Sequence, residues 1–255
     1  MHRTLVPDVS GRGEADFSLR GHGNTKGNVL YVLFIGNKNY SSWSLRPWLL
    51  LTTLGIPFEE RLMPFEDGGS REKFREFSPT GLVPCLHDGE IVVWESLGIV
   101  EHIAEAYPGV WPAGPAERAW ARSAAAEMHA GFGSLRNECP MTVGMRVRLH
   151  SISSGLEADL ARLAEVWQEG LERFGGSFLA GSEFTAVDAF YAPMAFRLQT
   201  YGLDLPGEAV NYARRILELP AMAAWTREAL AEPFREADHE REMTELGECL
   251  EDLRH

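Results

Sequence analysis

The first regular pattern along the chain is Val29–Ile35, VLYVLFI, an uninterrupted apolar run dominated by β-branched and aromatic residues. A run this short predicts a buried strand rather than a helix. The polar stretch Gly36–Ser42 separates it from Ser44–Leu54, where Pro47 suits a first helical turn and Gly55 and Pro57 stop the helix. Phe58–Met63 reads as a second strand, and Ser70–Phe77 as a short helix ending before Ser78-Pro79. Leu82–His87 and Glu90–Trp94 are strands separated by Asp88-Gly89, a dipeptide whose tolerance of positive φ closes a two-residue hairpin, so they must be antiparallel neighbours. From Ser96 the apolar residues Ile99, Val100, Ile103, Ala104 and Tyr107 recur at helical spacing until Pro108. The predicted order is β-α-β-α-β-β-α.

Gly109–Pro115, GVWPAGP, is rich in chain breakers and marks a boundary. Beyond it the periodicity predicts only helices: Glu117–Glu138, Glu157–Phe174, Val187–Tyr201, Glu208–Glu218 and Ala221–Ala231, with no alternating strand pattern. The expected organisation is a flexible extension over 1–28, an α/β domain over 29–108, a linker over 109–116, an all-α domain over 117–234 and a charged, partly helical tail over 235–255. No internal repeat is found.

Composition narrows the class. Of the 255 residues 45% are apolar and 24% charged, which fits a folded globular chain and not a disordered one. The formal charge of −13, from 37 acidic against 24 basic side chains, comes without a lysine-arginine cluster that could neutralise a phosphate backbone, so no nucleic-acid partner is expected. Cys85, Cys139 and Cys249 have neither disulfide nor zinc spacing, and a reducing, cytoplasmic location fits them best. No apolar run approaches the roughly 20 residues a membrane span needs, and residues 1–28 lack the hydrophobic stretch of a secretory signal.

Three short segments of the first domain carry candidate chemistry. Asn39–Arg46, NYSSWSLR, places two hydroxyls immediately before a helix, where unpaired N–H groups and a partial positive charge favour an anion. A thiol of reference pKa about 8.5 needs roughly 2.7 kcal/mol of preferential thiolate stabilisation to shift by two units. One hydroxyl bond to the anion contributes roughly 1.5–3 kcal/mol and the helix end roughly 0.3–1 more. Read alone, either serine is an ordinary N-cap. Pro79–Cys85, PTGLVPC, puts a proline near a strand start, and Cys85 after it is expected to point into the core. Trp94-Glu95-Ser96 places an acceptor for an ammonium group beside a capping hydroxyl that, with nearby N–H groups, can hold a carboxylate. In the second domain, Phe184–Asp188 contains a T-x-x-D capping pattern, to which a structural role is assigned through Thr185 and Asp188.

Taken together these segments resemble the glutathione transferase superfamily, most closely its serine-type bacterial, zeta-like and omega-like branches, over roughly Val29 to Glu232. The resemblance implies a thioredoxin-like α/β N-terminal domain that binds glutathione, followed by an all-α C-terminal domain that binds an electrophilic co-substrate. It implies that the activating serine stands five residues before an arginine, which through Arg46 selects Ser41 and leaves Ser42 as the neighbour that could substitute. It also implies a cis bond between Val83 and Pro84, with the Val83 backbone pairing with the cysteinyl unit, and Glu95 and Ser96 holding the γ-glutamyl end. Because the first helix of the helical domain faces the cleft in such folds, Met128, Phe132 and Arg136 become candidates for the electrophile pocket. A homodimer, a role in detoxification, and glutathione as a co-substrate without any metal complete the expectation.

Two departures bear on the activity. Zeta-type isomerases carry a cysteine where this chain has Trp43, and omega-type members carry one where it has Ser41, so a mixed-disulfide mechanism lacks its nucleophile. The expected reaction is attack of a bound glutathione thiolate on an apolar electrophile. A glutathione-dependent isomerase or reductive cleavage enzyme, or a non-catalytic binding protein of the same fold, stands as the alternative. His87, His102, His129 and His150 show no ligand spacing and read as surface or helix-face residues.

Overall fold

The computed structural model describes residues 31–254, so the expected extension over 1–28 lies outside the described residues. Strand β1 (Tyr31–Ile35) lies inside a four-stranded sheet of order β2-β1-β3-β4, between β2 (Phe58–Leu62), to which it is parallel, and β3 (Cys85–Asp88), to which it is antiparallel. The hairpin expected at Asp88-Gly89 forms one residue later. Asp88 pairs with Ile91, the first residue of β4 (Ile91–Trp94), and the loop is Gly89-Glu90, with Gly89 at φ 60°. Positive φ is the conformation that Gly adopts without the steric cost a side chain would bring.

The sheet's helices are α1 (Ser42–Thr53), the single turn α2 (Arg71–Phe74) and α3 (Ser96–Ala106). Helix α1 begins two residues before its expected start, so Pro47 falls in the second turn rather than the first.

The second domain is helical, as its periodicity predicts. It comprises α4 (Pro115–Ala130), α5 (Gly133–Glu138), α6 (Ser154–Phe174), α7 (Ala186–Tyr201), α8 (Glu208–Leu217) and α9 (Pro220–Ala231), followed by α10 (Ala237–Leu246). The helix predicted over Glu117–Glu138 is broken between α4 and α5 at Gly131-Phe132. There Phe132 takes a left-handed conformation, φ 57°, which a continued helix cannot contain. The domain also contains strands. Met145–Leu149 forms β5, which pairs antiparallel with β6 (Gly247–Asp252) and so anchors the tail to the domain.

Helix α7 is the central element. Every residue in it except Gln199 is buried, because α1, α4, α8 and β5 all pack against it. Its packing on α1 joins the two halves of the chain. A second tie is Lys38, whose buried ammonium pairs with Glu60 at 2.7 Å and with Glu228 of α9, and lies over the rings of Trp48 and Trp225. Among the described residues no helix is long and apolar enough to cross a membrane.

Candidate active site

The start of α1 faces α7 and the break between α4 and α5. Ser41, the N-cap, and Ser42, the first helical residue, are both buried, and neither is among the residues lining the two cavities on either side of Leu82-Val83. The Ser41 hydroxyl donates to Ser44 Oγ at 2.7 Å, and that oxygen also accepts the Gly36 N–H at 3.1 Å. Ser42 Oγ accepts from Nη2 of Arg197, on α7, at 3.3 Å. Trp43, next in sequence, reaches a cavity wall.

Two cavities meet at Leu82-Val83. The larger, about 470 Å3, is lined by Trp43, Thr80, Leu82, Val83, Pro84, Glu95 and His129. The smaller, about 260 Å3, lies on the other side, where Phe65, Ser70 and Arg71 face Glu236 and His239 of the tail. The bond between Val83 and Pro84 is cis. Cys85 follows it into the core, where burial pushes its thiol up to about 11, so the group is protonated at neutral pH.

Glu95 precedes α3 with φ 65° and ψ 132°, a backbone conformation costly for any residue with a side chain. This turn leaves its carboxylate 52% exposed in the larger cavity, 4.0 Å from Nε2 of His129. Ser96 behind it is fully buried, its Oγ accepting from Nη1 of Arg46 at 3.4 Å. The structure therefore brings Val83, Pro84 and Glu95 to one cavity and places Ser41, Ser42 and Ser96 in the layer behind.

Arg46 is only 1% exposed. Its guanidinium lies 4.0 Å above the Trp43 ring and 5.0 Å from that of Phe190, and its Nε has no partner. Burial, then the neighbouring Arg197 and Arg136, push it well below the usual arginine range. Burial and the same Arg46 lower His129, so its ring is neutral at neutral pH, and its buried Nδ1 is also unpartnered.

The electrophile-pocket candidates need correction. Met128 is fully buried in the core and Phe132 is buried edge-on against Tyr191. Arg136 stacks 5.3 Å from the Trp43 ring and bonds the His129 carbonyl, and none of the three lines either cavity. The residue that α4 sends into the cavity is His129, expected to be an ordinary surface or helix-face histidine. The expected face assumed an unbroken helix; the break at Gly131-Phe132 re-aims Phe132 and Arg136, whereas Met128, before the break, lies on the face of α4 turned to the core.

Nor does the sequence reveal the tail as a wall of the smaller cavity. His239 stacks between Tyr40, 4.9 Å away, and Phe65, 5.5 Å away. The Tyr40 hydroxyl bonds Glu240, which is clasped by Arg254 beside Asp252. Glu236 accepts from the His239 backbone N–H at 2.7 Å.

Comparison with known proteins follows the same outline. The family model of the glutathione S-transferase N-terminal domain matches residues 40–106, and that of the C-terminal domain matches residues 118–228. A probable maleylacetoacetate isomerase from Caenorhabditis elegans is 26% identical over 205 residues, covering 76% of this chain and 91% of the relative. The maleylacetoacetate isomerase of Rattus norvegicus is 25% identical over 224 residues, covering 84% and 96%. Among solved structures, a glutathione transferase homologue from Burkholderia with bound glutathione superposes with a TM-score of 0.60 at 22% identity, covering 78% of this chain and 98% of that one.

Proposed function

The chain belongs to the glutathione S-transferase family, and from that premise we propose that it activates the thiol of glutathione at the start of α1 for attack on an apolar electrophilic small molecule. The observation that carries this reading is the meeting of two cavities at Val83. Glutathione has a γ-glutamyl end with an ammonium and a carboxylate, a central cysteine, and a glycyl carboxylate. Glu95 in the larger cavity supplies the acceptor for the ammonium, Arg71 in the smaller one supplies a cation for the glycyl carboxylate, and Val83 lies between them to pair with the cysteinyl backbone. The hydroxyls of Ser41 and Ser42 and the start of α1 then stabilise the thiolate, and the cleft supplies proximity for its attack.

A second reading, glutathione-dependent isomerisation, is supported by relatives named maleylacetoacetate isomerases that match over nine-tenths or more of their own length. There the thiolate adds and later leaves, so glutathione is regenerated. Trp43 in place of a cysteine counts against it. Both readings start from the same bound thiolate, and the product separates them: a stable thioether for transfer, free glutathione and a rearranged substrate for isomerisation.

A homodimer is supported by the exposed apolar side chains Leu82, Ile91 and Trp94 around the edge strand β4. A cytoplasmic setting suits three free cysteines. The reading is tested by calorimetric titration with glutathione, repeated on Glu95→Ala/Ser96→Ala. Saturable binding that the double variant weakens at least tenfold supports it. Absence of binding heat in the unaltered protein, or unchanged affinity in the variant, would overturn the site.

A further inference from the structure

Two buried arginines meet the serines at the start of α1 and α3, and among the described residues neither forms an ion pair with a carboxylate. Arg197, from α7, is 4% exposed and places its nitrogens on neutral oxygens: Nε on the Cys139 carbonyl at 2.8 Å, Nη1 on the Pro193 carbonyl at 3.3 Å, and Nη2 on Ser42 Oγ at 3.3 Å. Arg46 touches Ser96 Oγ in the same way and leaves its Nε unpartnered. An unpaired guanidinium out of water is expensive, and removing the partner of a buried charge destabilises a fold strongly. Here two such charges stand close together, with Arg136 of α5 nearby and the neutral His129 of α4 beyond them. The carboxylate that acts on Arg46 is that of Glu95, which is more than half exposed. The arrangement is short of one negative charge.

Hydrogen-bond directions distinguish the two serines. Ser41 gives its proton to Ser44 Oγ, an oxygen already accepting from Gly36. Ser42 accepts from a guanidinium, so its own proton is free to be donated, and the adjacent positive charge makes that O–H a stronger donor to an anion.

We propose that Arg197 is a positioning residue for thiol activation, holding Ser42 with its O–H toward the glutathione sulfur and supplying a buried positive charge that the thiolate completes. The proposal rests on the glutathione reading above and deepens it. In the step it serves, the S–H bond of glutathione breaks, its proton passes to solvent water, and the electron pair left on sulfur accepts the hydrogen bond from Ser42. The cation comes from α7, so the helical domain takes part in activating a thiol bound to the other domain.

The test is a pH titration of the thiolate absorbance of enzyme-bound glutathione, with kcat and KM measured alongside, in the unaltered protein, Ser41→Ala, Ser42→Ala, Arg197→Gln, Arg197→Lys and Ser42→Ala/Arg197→Gln. Arg197→Gln is expected to raise the apparent pKa of the bound thiol by about one unit, a loss of thiolate that is about tenfold well below the pKa and about threefold near it. It should lower kcat about threefold at neutral pH and about tenfold at lower pH, leave KM for glutathione within about twofold, and be partly rescued at higher pH. Arg197→Lys should restore part of the shift, because it keeps the charge but not the fork. Ser42→Ala should shift the pKa by more than Ser41→Ala, and the double variant should be no worse than the more severe single one. A folded Arg197→Gln with the unaltered pKa would overturn the proposal. Should that variant fail to fold, an unshifted Ser42→Ala would do the same. If the unaltered protein binds no glutathione, the functional reading fails first; if it lowers the thiol pKa and these variants leave that lowering intact, this inference alone fails.

Discussion

Asp188 offers a sharp test of how α7 is held. The residue sits in the first turn of α7 and is fully buried, with Oδ2 accepting the Thr185 N–H at 2.9 Å and Oδ1 accepting the Leu179 N–H at 3.0 Å and the Tyr212 hydroxyl at 2.9 Å. Asp188→Ala strands three buried donors at about 1–3 kcal/mol each. Against that stands the cost of ionising the carboxyl in place: burial pushes it up to about 6 from 3.8 although its hydrogen bonds pull the other way, a shift of roughly two units or about 3 kcal/mol. The net expectation at neutral pH is destabilisation by about 3 kcal/mol, with Asp188→Asn near half of that because its amide oxygen still serves two donors. The pH dependence has a definite sign. The folded state holds this proton more tightly than the unfolded chain, so the contribution of Asp188 to stability is greatest below about pH 4, falls as pH rises through 4 to 6, and is flat above. The gap between the unaltered protein and Asp188→Asn should therefore widen as pH is lowered from 7 to 4.5 in urea denaturation followed by tryptophan fluorescence. A loss below about 1 kcal/mol for Asp188→Ala, or a gap that widens with rising pH, would refute the reasoning.

Other perturbations follow from the same geometry. Glu95→Gly should release strained backbone and stabilise the fold by up to about 1 kcal/mol after the entropy cost of glycine, while weakening glutathione binding; a destabilised variant in thermal unfolding would show that Glu95 is not strained. Lys38→Met breaks the buried tie to Glu60 and Glu228, but both carboxylates reach solvent, so the loss should be about 1–3 kcal/mol, below the figure for a fully buried pair; a measured loss above 5 kcal/mol would argue against that solvent rescue. Arg254→Ala frees Glu240 and Asp252, and limited proteolysis should then cut the tail between α9 and α10 faster than in the unaltered protein, with an unchanged cleavage rate counting against the clasp.

What could be read from the sequence is what local chemistry decides. The helical faces of α6 to α9 repeat at 3.6 residues, and a glycine needing positive φ marks the hairpin, so these elements appear within three residues of expectation. Strand β5 carried a signal of its own: Met145, Val147 and Leu149 alternate with Arg146 and Arg148, and the buried positions follow that alternation at Met145 and Val147. It was overlooked because its partner lies about a hundred residues away in a segment too charged to read as a strand. That Val83, Pro84 and Glu95 share one cavity was legible, because strand ends and helix starts set their geometry. The burial of Arg46 and Arg197 was not legible, since arginine is almost never fully buried and nothing local distinguishes these two from surface residues. Nor could the cavity position of His129 be foreseen, because it depends on how α4 docks against Trp43 and Glu95 of the other domain, which nothing local to His129 encodes.

The pairing of β5 with β6 has a consequence for the order of assembly. Synthesis proceeds from residue 145 toward residue 252, and domains tend to fold as they emerge. Strand β5 is therefore made long before β6, and for that interval its backbone donors and acceptors on one edge have no sheet partner. The same interval leaves Tyr40 and Phe65 without His239 between them. A nascent chain can thus complete the sheet and its helices while the smaller cavity still lacks a wall. A ligand held against that wall would stabilise the finished molecule more than a precursor in which the tail has not yet docked.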